Sequence, residues 1–429
     1  MNKIAVFADF IHYDSRIEEN KYLLIDGEII EGLADKAPDG YDIKEKKNAA
    51  IFPALINTHT HLPMSIFRGM ADDLPLMDWL QNHIWPAETK WLSDEFVHDA
   101  TLLSCMEMIR CGTSTAFDMY FFSGEIASAL SMTGLKGVVG VGVLDFPTKF
   151  ANNADEYIKK ASDLYHRYKE HPDIDVSLCP HAPYTVSPEN YLKCVDFCGK
   201  HDLVLHTHLA ETAFEIGQIK EKYGKTPVEI MNESGAFDIR SIFAHCVHLT
   251  DEEIELMGEK NVNIAPCTES NLKLVSGFAP LKKLMDAGAN LTIATDGAAS
   301  NNDIDMIGEM ATTAKVHKAV NHDATAFSAE TVLKMATSNA AKGLGLGNTG
   351  ELKEGYKADF FVLSFEDAGV TPVYNPVSHL VYSAGRHDVT DTYVKGKPLM
   401  ENRQILVADE EEIKNKARRW AKKIKESKN

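Results

Sequence analysis

From residue 57 to residue 349, short apolar runs of strand length alternate with longer amphipathic stretches, and the alternation repeats eight times. The strand candidates are INTHTH, STAFDMY, GVVGVGVLD, DIDVSLCPH, DLVLHTHLA, SIFAHCVHL, NVNIAPC and NLTIATDG. A strand followed each time by a helix forces a parallel sheet, because parallel neighbours need a long crossover. Eight such units predict a closed (β/α)8 barrel. The stretch EFVHDATLLSCMEMIRCG shows the helical half of a unit. Phe96, Ala100, Leu103, Met106 and Ile109 recur at helical spacing, and Gly112 suits the position just past the helix end.

The chain ends read differently. KIAVFADFIHYD and KYLLIDGEIIEG alternate short apolar runs with turns, and GYKADFFVLS, DTYVKGKPLM and RQILVAD return to that rhythm after Gly345. The expected fold is α/β: a TIM-like (β/α)8 barrel over 57–346, with a small β-sandwich domain made of 1–56 and 347–408. Residues 409–429, acidic at the start and basic at the end, are expected to form a surface helix aligned with its dipole. GLGLG at 343–347 lacks the strand–turn–helix context of a nucleotide loop and reads as a helix end and turn.

Charge excludes some functions. Asp and Glu number 63 against 44 Lys and Arg, a formal charge of −19, which disfavours nucleic acid and anionic membrane surfaces as partners. There is no apolar run of about eighteen residues to span a bilayer. Acidic residues arrive too early for a signal peptide. The seven cysteines are scattered and mostly lie in apolar runs, so they are expected to be reduced and buried in a cytoplasmic protein.

Three clusters of polar residues fall at the C-terminal ends of predicted barrel strands, where barrels of this kind keep their active sites. His59 and His61 are two apart in a strand and so point to the same side. His208 offers a third imidazole, and Glu211 follows three residues later, close to such a site without having to bind a metal. His206 reads as a satisfied core histidine. Asp296 follows an apolar strand, where an unpaired carboxylate is costly to bury. Singly, each has an ordinary explanation, such as a loop histidine pair or a helix cap. Jointly they fall on strands one, five and eight, and strands one and eight are neighbours in a closed barrel. Three histidines and one aspartate suit a borderline divalent ion, Zn²⁺ first, with Fe²⁺ or Mn²⁺ accommodated by the same donors. Bound zinc lowers the pKa of water toward ~7, and such a site hydrolyses an electrophilic carbon. Glu211 is a candidate proton carrier. His245, ending SIFAHC, either holds the attacking water or is a structural histidine behind the ligands.

At these residues the chain resembles the amidohydrolase superfamily, through INTHTHLP, HTHLAET, FAHCVHL and TDGAASNN. Within it, LMDWLQNHIWPAE, PHAPYT, SNLKL and TDGAASNNDIDM resemble the 5′-methylthioadenosine/S-adenosylhomocysteine deaminases. The resemblance implies one metal on His59, His61, His208 and Asp296, with Glu211 as proton carrier to the purine. It implies His245 as a partner near the attacked carbon, and in the expected mechanism Asp296 and His245 accept or orient the water proton. It also implies contacts from Glu88 to the ribose hydroxyls, from His181 to the sugar or ring, and from Trp79 to the 5′ substituent. A carboxylate can accept from two hydroxyls, and an indole can cover a thioether, although Trp79 reads equally well as core packing. The implied reaction is hydrolytic deamination of a 5′-modified adenosine to the inosine analogue and ammonia, in a homo-oligomer.

Two departures bear on this. No arginine lies between Arg110 and Arg167, and Lys149 is the nearest cation, which favours 5′-methylthioadenosine over the charged tail of S-adenosylhomocysteine. Pro266 stands where relatives often carry histidine. The competing readings are these. Binuclear ring hydrolases need a lysine at the end of strand four, where LCPHAPY offers His181 instead. Zinc deaminases of the other major type need Cys-x-x-Cys, and Cys194 and Cys198 are one residue too far apart. Other amine-bearing rings, such as guanine, cytosine, pterins or triazines, stay open because fold does not fix substrate, and aminodeoxyfutalosine is one more adenosine derivative in view. A non-catalytic metal-binding scaffold is the alternative of another class, and the complete Glu211/His245 pair argues against it.

Overall fold

The computed structural model describes residues 3–427, so residues 1–2 and 428–429 of the expected terminal segments lie outside the described residues. The first four strands are β1 (Lys3–Tyr13), β2 (Arg16–Asp26), β3 (Ile29–Ala34) and β4 (Asp42–Pro53). Eight more follow in the barrel: β5 (Leu55–Thr60), β6 (Thr113–Tyr120), β7 (Lys136–Val143), β8 (Ile174–Pro180), β9 (Leu205–Leu209), β10 (Ser241–His245), β11 (Asn263–Ala265) and β12 (Asn290–Leu291). Neighbours from β5 to β12 pair in chain order, all parallel. Helices fill the crossovers, as the alternating pattern predicts.

The eighth strand differs from its expected length. Only Asn290 and Leu291 pair as a strand, although NLTIATDG reads as a full one. Backbone bonds nevertheless carry the segment on past Leu291, with Thr292 N donating to Ile264 O at 2.8 Å and Ala294 N to Pro266 O at 3.2 Å. At the β12–β5 seam, side chains add to the backbone bond from Thr58 N to Ile293 O: Asn57 donates to Thr295 Oγ1 at 2.7 Å and accepts from Thr295 N at 3.1 Å. The Thr58 and Thr292 hydroxyls meet at 2.7 Å. Asp296 N then donates to His59 O at 3.1 Å, which fixes Asp296 beside the end of β5.

The remaining strands are β13 (Phe360–Ser364), β14 (Val389–Val394), β15 (Lys397–Glu401) and β16 (Gln404–Ile405). They join β1–β4 in one sheet of order β16-β15-β14-β13-β4-β1-β2-β3, so the small sandwich is built from both chain ends. It has its own core of Val6, Ile11, Leu23, Ile51, Phe360 and Tyr393, the last two rings stacked at 4.4 Å. The helix Asp94–Arg110 ties it to the barrel. Ser93 caps that helix by accepting from Phe96 N at 3.2 Å, and Thr392 Oγ1 donates to Ile109 O at 2.7 Å. Of the periodic residues on this helix, Phe96, Ala100, Met106 and Ile109 are buried and Leu103 is half-buried. The C-terminal helix Glu410–Glu426 packs on the same helix, with Trp420 Nε1 donating to Asp99 Oδ2 at 3.0 Å. GLGLG does end a helix, Ser338–Leu344, with Gly345 in the left-handed region.

The longest insertion lies between β5 and β6. It runs through Leu76–Trp79, a π turn at Leu80–Ile84 and the helix Trp85–Trp91. Pro86 has no N–H to give to the preceding turn, so the α-helical ladder is interrupted there. This insertion carries Trp79 and Glu88 over the mouth of the barrel.

Gly112 makes a requirement that can be tested. Its φ is +76°, and a Cβ there would sit 2.6 Å from Phe361 Cγ of β13. Gly112→Ala is expected to cost about 2–5 kcal/mol from left-handed strain plus overpacking. The check is the midpoint of guanidinium unfolding, which should fall clearly below that of the parent chain.

Candidate active site

His59, His61, His208 and Asp296 each bring one donor atom into a group whose members all lie within 4.8 Å of one another. Hydrogen bonds set which ring nitrogens face inward. His61 Nδ1 lies 2.6 Å from Met119 O, and His208 Nδ1 lies 2.6 Å from His181 O. A carbonyl only accepts, so both Nδ1 atoms carry protons and both Nε2 atoms present lone pairs. His206 Nδ1 likewise donates to Ile242 O at 2.8 Å, leaving its Nε2 to accept from His59 Nδ1 at 2.6 Å. The His59 Nε2 lone pair is therefore turned inward too, and this buried atom has no hydrogen-bond partner.

Three lone pairs thus converge on a carboxylate. His61 and His208 face each other Nε2 to Nε2 at 3.3 Å, and Asp296 Oδ1 lies 3.4 Å from His59 Nε2 and 3.3 Å from His61 Nε2. Burial disfavours protonating these rings: it holds His59 down to about 4, against the pull of Asp296, and His208 well below the usual histidine range. The Asp296 carboxyl lies well below its ordinary value although burial opposes it. Its Oδ2 accepts from Ser270 Oγ at 2.7 Å and Ser300 Oγ at 2.9 Å, and its Oδ1 from Gly297 N at 2.7 Å. Neutral imidazoles aimed at a carboxylate oxygen make a site for a cation, and N/O donors of this kind fit a divalent metal.

Glu211 and His245 stand beside this group, with His245 Nε2 3.9 Å from Glu211 Oε2. Burial raises the Glu211 carboxyl above its ordinary value, and Ser276 Oγ donates to its Oε1 at 3.3 Å. His245 Nδ1 donates to Asn271 Oδ1 at 2.9 Å, which turns Nε2 toward the site. Burial lowers the His245 pKa, but the carboxylates of Glu211 and Asp296 outweigh it and the net shift is upward. Both His245 and Asp296 sit in the left-handed region, at φ 70° and 65°. Such residues cost ~1–3 kcal/mol each and gather where geometry is over-determined by function. Glu215 supports the turn before Glu211: its two oxygens accept from Ala210 N at 3.0 Å and Glu211 N at 2.9 Å.

Above the polar floor lies a cavity of about 1170 Å³, counting its open mouth. Its upper walls are apolar, with Trp79, Trp85, Phe121, Phe122, Phe146 and Phe150. Trp79 is 5% exposed and also packs into the core, so its two readings coexist. His181 lines the cavity with Nδ1 2.9 Å from Thr185 Oγ1, and Glu88 lines it from the insertion. Among the described residues the lining contains no arginine. Its one lysine, Lys149, is committed to the carbonyls of Lys90 at 2.8 Å and Leu92 at 3.3 Å.

His61, Trp79, Glu88, His181, His208, Glu211, His245 and Asp296 line one cavity, and His59 is buried beside His61 and Asp296 without lining it. What the sequence reading missed are the supports. His206, read as a satisfied core histidine, is satisfied at both nitrogens, but one of those bonds sets the tautomer of His59. Ser270, Asn271, Ser276 and Ser300 position Asp296, His245 and Glu211, and two segments carrying them, SNLKL and TDGAASNN, were visible only as family marks. Pro266 follows β11, and its carbonyl accepts from Ala294 N at 3.2 Å; nothing in the structure explains why histidine is replaced there.

Known proteins place the chain in a family. Residues 50–399 match the model of the amidohydrolase family. The chain is 44% identical over 376 residues to the 5-methylthioadenosine/S-adenosylhomocysteine deaminase of Syntrophobacter fumaroxidans, covering 87% of this chain and 86% of that one. It is 42% identical to the 5′-deoxyadenosine deaminase of Methanocaldococcus jannaschii, over 96% of both. A zinc-bound adenosine deaminase structure from Xanthomonas campestris superposes with a TM-score of 0.95 at 37% identity, over 99% of each chain. The chain belongs to the amidohydrolase family.

The relay through His206 is open to test. His206→Phe keeps a ring in the core but removes the acceptor for His59 Nδ1. Zinc affinity, measured by competition with a chelating dye, is expected to fall about 10–100-fold, the usual effect of losing a bond that orients a ligand.

Proposed function

We propose that this protein is a metal-dependent hydrolytic deaminase of a 5′-modified adenosine, releasing ammonia and the inosine analogue. 5′-Methylthioadenosine is the first substrate and S-adenosylhomocysteine a weaker one. The observation that carries this is the juxtaposition of the His59, His61, His208 and Asp296 donor group with the Glu211/His245 pair under an apolar cavity. The names of the similar deaminases support it.

In this reading one divalent ion, zinc, is held by His59, His61, His208 and Asp296. When bound, it supplies Lewis-acid activation of water at neutral pH. The absence of a lysine at the end of β8, where Pro180 and then His181 stand, agrees with a single ion. Glu211 carries a proton to N1 of the adenine ring, making C6 more electrophilic. His245 and Asp296 orient the water and accept its proton. His181 contacts the sugar or ring, and the Glu88 carboxyl accepts from the ribose hydroxyls. Trp79 covers the 5′ group.

Preference for a neutral 5′ substituent rests on the cavity wall. A zwitterionic amino-acid tail would need a cationic partner, and the Lys149 ammonium already satisfies two helix-end carbonyls. Phenylalanine and tryptophan side chains suit a methylthio group instead.

The same reading keeps 1–56 with 347–408 as one unit, 57–346 as the catalytic unit, and 409–429 as a separate helix. It takes the enzyme to be a cytoplasmic homo-oligomer. All seven cysteines are free and buried, and no helix among the described residues is long and apolar enough to cross a membrane.

The test is a deamination assay on zinc-loaded enzyme, followed by the ultraviolet change from adenine to hypoxanthine. Methylthioadenosine should turn over well above S-adenosylhomocysteine, and guanine and cytosine should fail. Activity confined to a free base overturns the nucleoside reading. Glu211→Gln is expected to keep its metal and lose about 10²–10⁴ in kcat. His59→Ala should lose both metal and activity.

A further inference from the structure

Two consecutive residues at the end of β6 serve the two halves of the site. The Met119 carbonyl accepts from His61 Nδ1 at 2.6 Å, on the side of the donor group. The Tyr120 hydroxyl donates to Glu88 Oε1 at 2.5 Å, across to the insertion that covers the cavity. Tyr120 is 4% exposed and packs its ring against Phe121 at 5.5 Å. Among the described residues, this phenol is the sole hydrogen-bond partner of the Glu88 carboxyl, and no cation lies within ion-pair distance of it.

That arrangement has a consequence for recognition. A carboxylate offers about four acceptor directions over its two oxygens. One is used by the phenol, which stops the group from rotating on its short helix. Oε2 and the second lone pair of Oε1 are left for the cavity, enough for two donors on adjacent carbons. Burial without a counter-charge pushes Glu88 up to about 7, and the phenol works against that shift by stabilising the ionised form.

We propose that Tyr120 is a positioning residue that makes the enzyme selective for a cis-diol sugar, by locking the Glu88 carboxylate in the orientation that accepts from both ribose hydroxyls. The proposal rests on the assignment of Glu88 to the ribose. Through Met119, the same strand end keeps that sugar clamp in fixed relation to His61, so a correctly held ribose delivers its base to the catalytic floor.

The experiment compares kcat and KM for methylthioadenosine and its 2′,3′-dideoxy counterpart, in the zinc-loaded parent, Tyr120→Phe, Glu88→Gln and the double variant. Phenylalanine keeps the ring packing and removes only the hydroxyl. In Tyr120→Phe the ribo-to-dideoxy ratio of kcat/KM is expected to fall about tenfold, mainly through KM, the scale of one hydrogen bond to a charged group. Because Tyr120 acts through Glu88, adding Tyr120→Phe to Glu88→Gln should lower the ratio no further. A Tyr120→Phe enzyme that discriminates as well as the parent overturns the proposal, as does a double variant whose losses multiply. If the parent fails to distinguish the two sugars, the ribose role of Glu88 falls and this inference with it, while adenine deamination itself still stands.

Discussion

The polar floor of the cavity depends on backbone carbonyls that key its imidazoles. Met119 O on β6 turns His61, His181 O just past β8 turns His208, and Ile242 O on β10 turns His206, which in turn fixes His59. Every one of these carbonyls comes from the strand next to the histidine it orients. Parallel pairing makes this natural: Ile242 sits opposite His206 in the β9–β10 ladder. The result is three inward lone pairs around one carboxylate oxygen, a set of electron donors that suits a cation once burial has disfavoured protonation. Glu211 and His245 then stand beside it without competing for the same position.

The same barrel separates two solvents for one ligand. Its floor is polar and held by hydrogen bonds to Ser270, Asn271, Ser276 and Ser300, whereas the walls above are aromatic. A nucleoside has a matching division, with a ring to be attacked at one end and a 5′ group at the other. Lys149 illustrates how the division is kept. Its ammonium lies in the cavity wall yet closes the helix that carries Glu88, so the positive charge is spent on structure. The cost of desolvating a carboxylate tail there is left uncompensated.

Strain collects at the same strand ends. His245 and Asp296 both adopt left-handed backbone conformations that β-carbon-bearing residues avoid. Asn271 holds one, and the Gly297 N–H with the β5 carbonyl of His59 holds the other. Preorganising these groups during folding means that less rearrangement is needed when the substrate arrives.

Much of this was legible in the sequence. Period and order were enough for eight parallel strands, because a strand–helix alternation has few ways to bury its apolar faces. Spacing put His59 with His61, and position at strand ends put His208, Glu211, His245 and Asp296 on one rim. A local pattern carries such information because strand direction and side-chain alternation are properties of the chain itself. It could not reveal that Asn57 and Thr295 meet across the closing seam. Nor could it assign His206 to His59, Ser276 to Glu211, or Tyr120 to Glu88. Those pairs are separated by 147, 65 and 32 positions and meet only once the barrel has closed. Local pattern in the chain settles which groups could do chemistry and which end of the barrel holds them. Tertiary structure decided their tautomers, charges and aim, because those depend on long-range hydrogen bonds and on burial that only the folded chain creates.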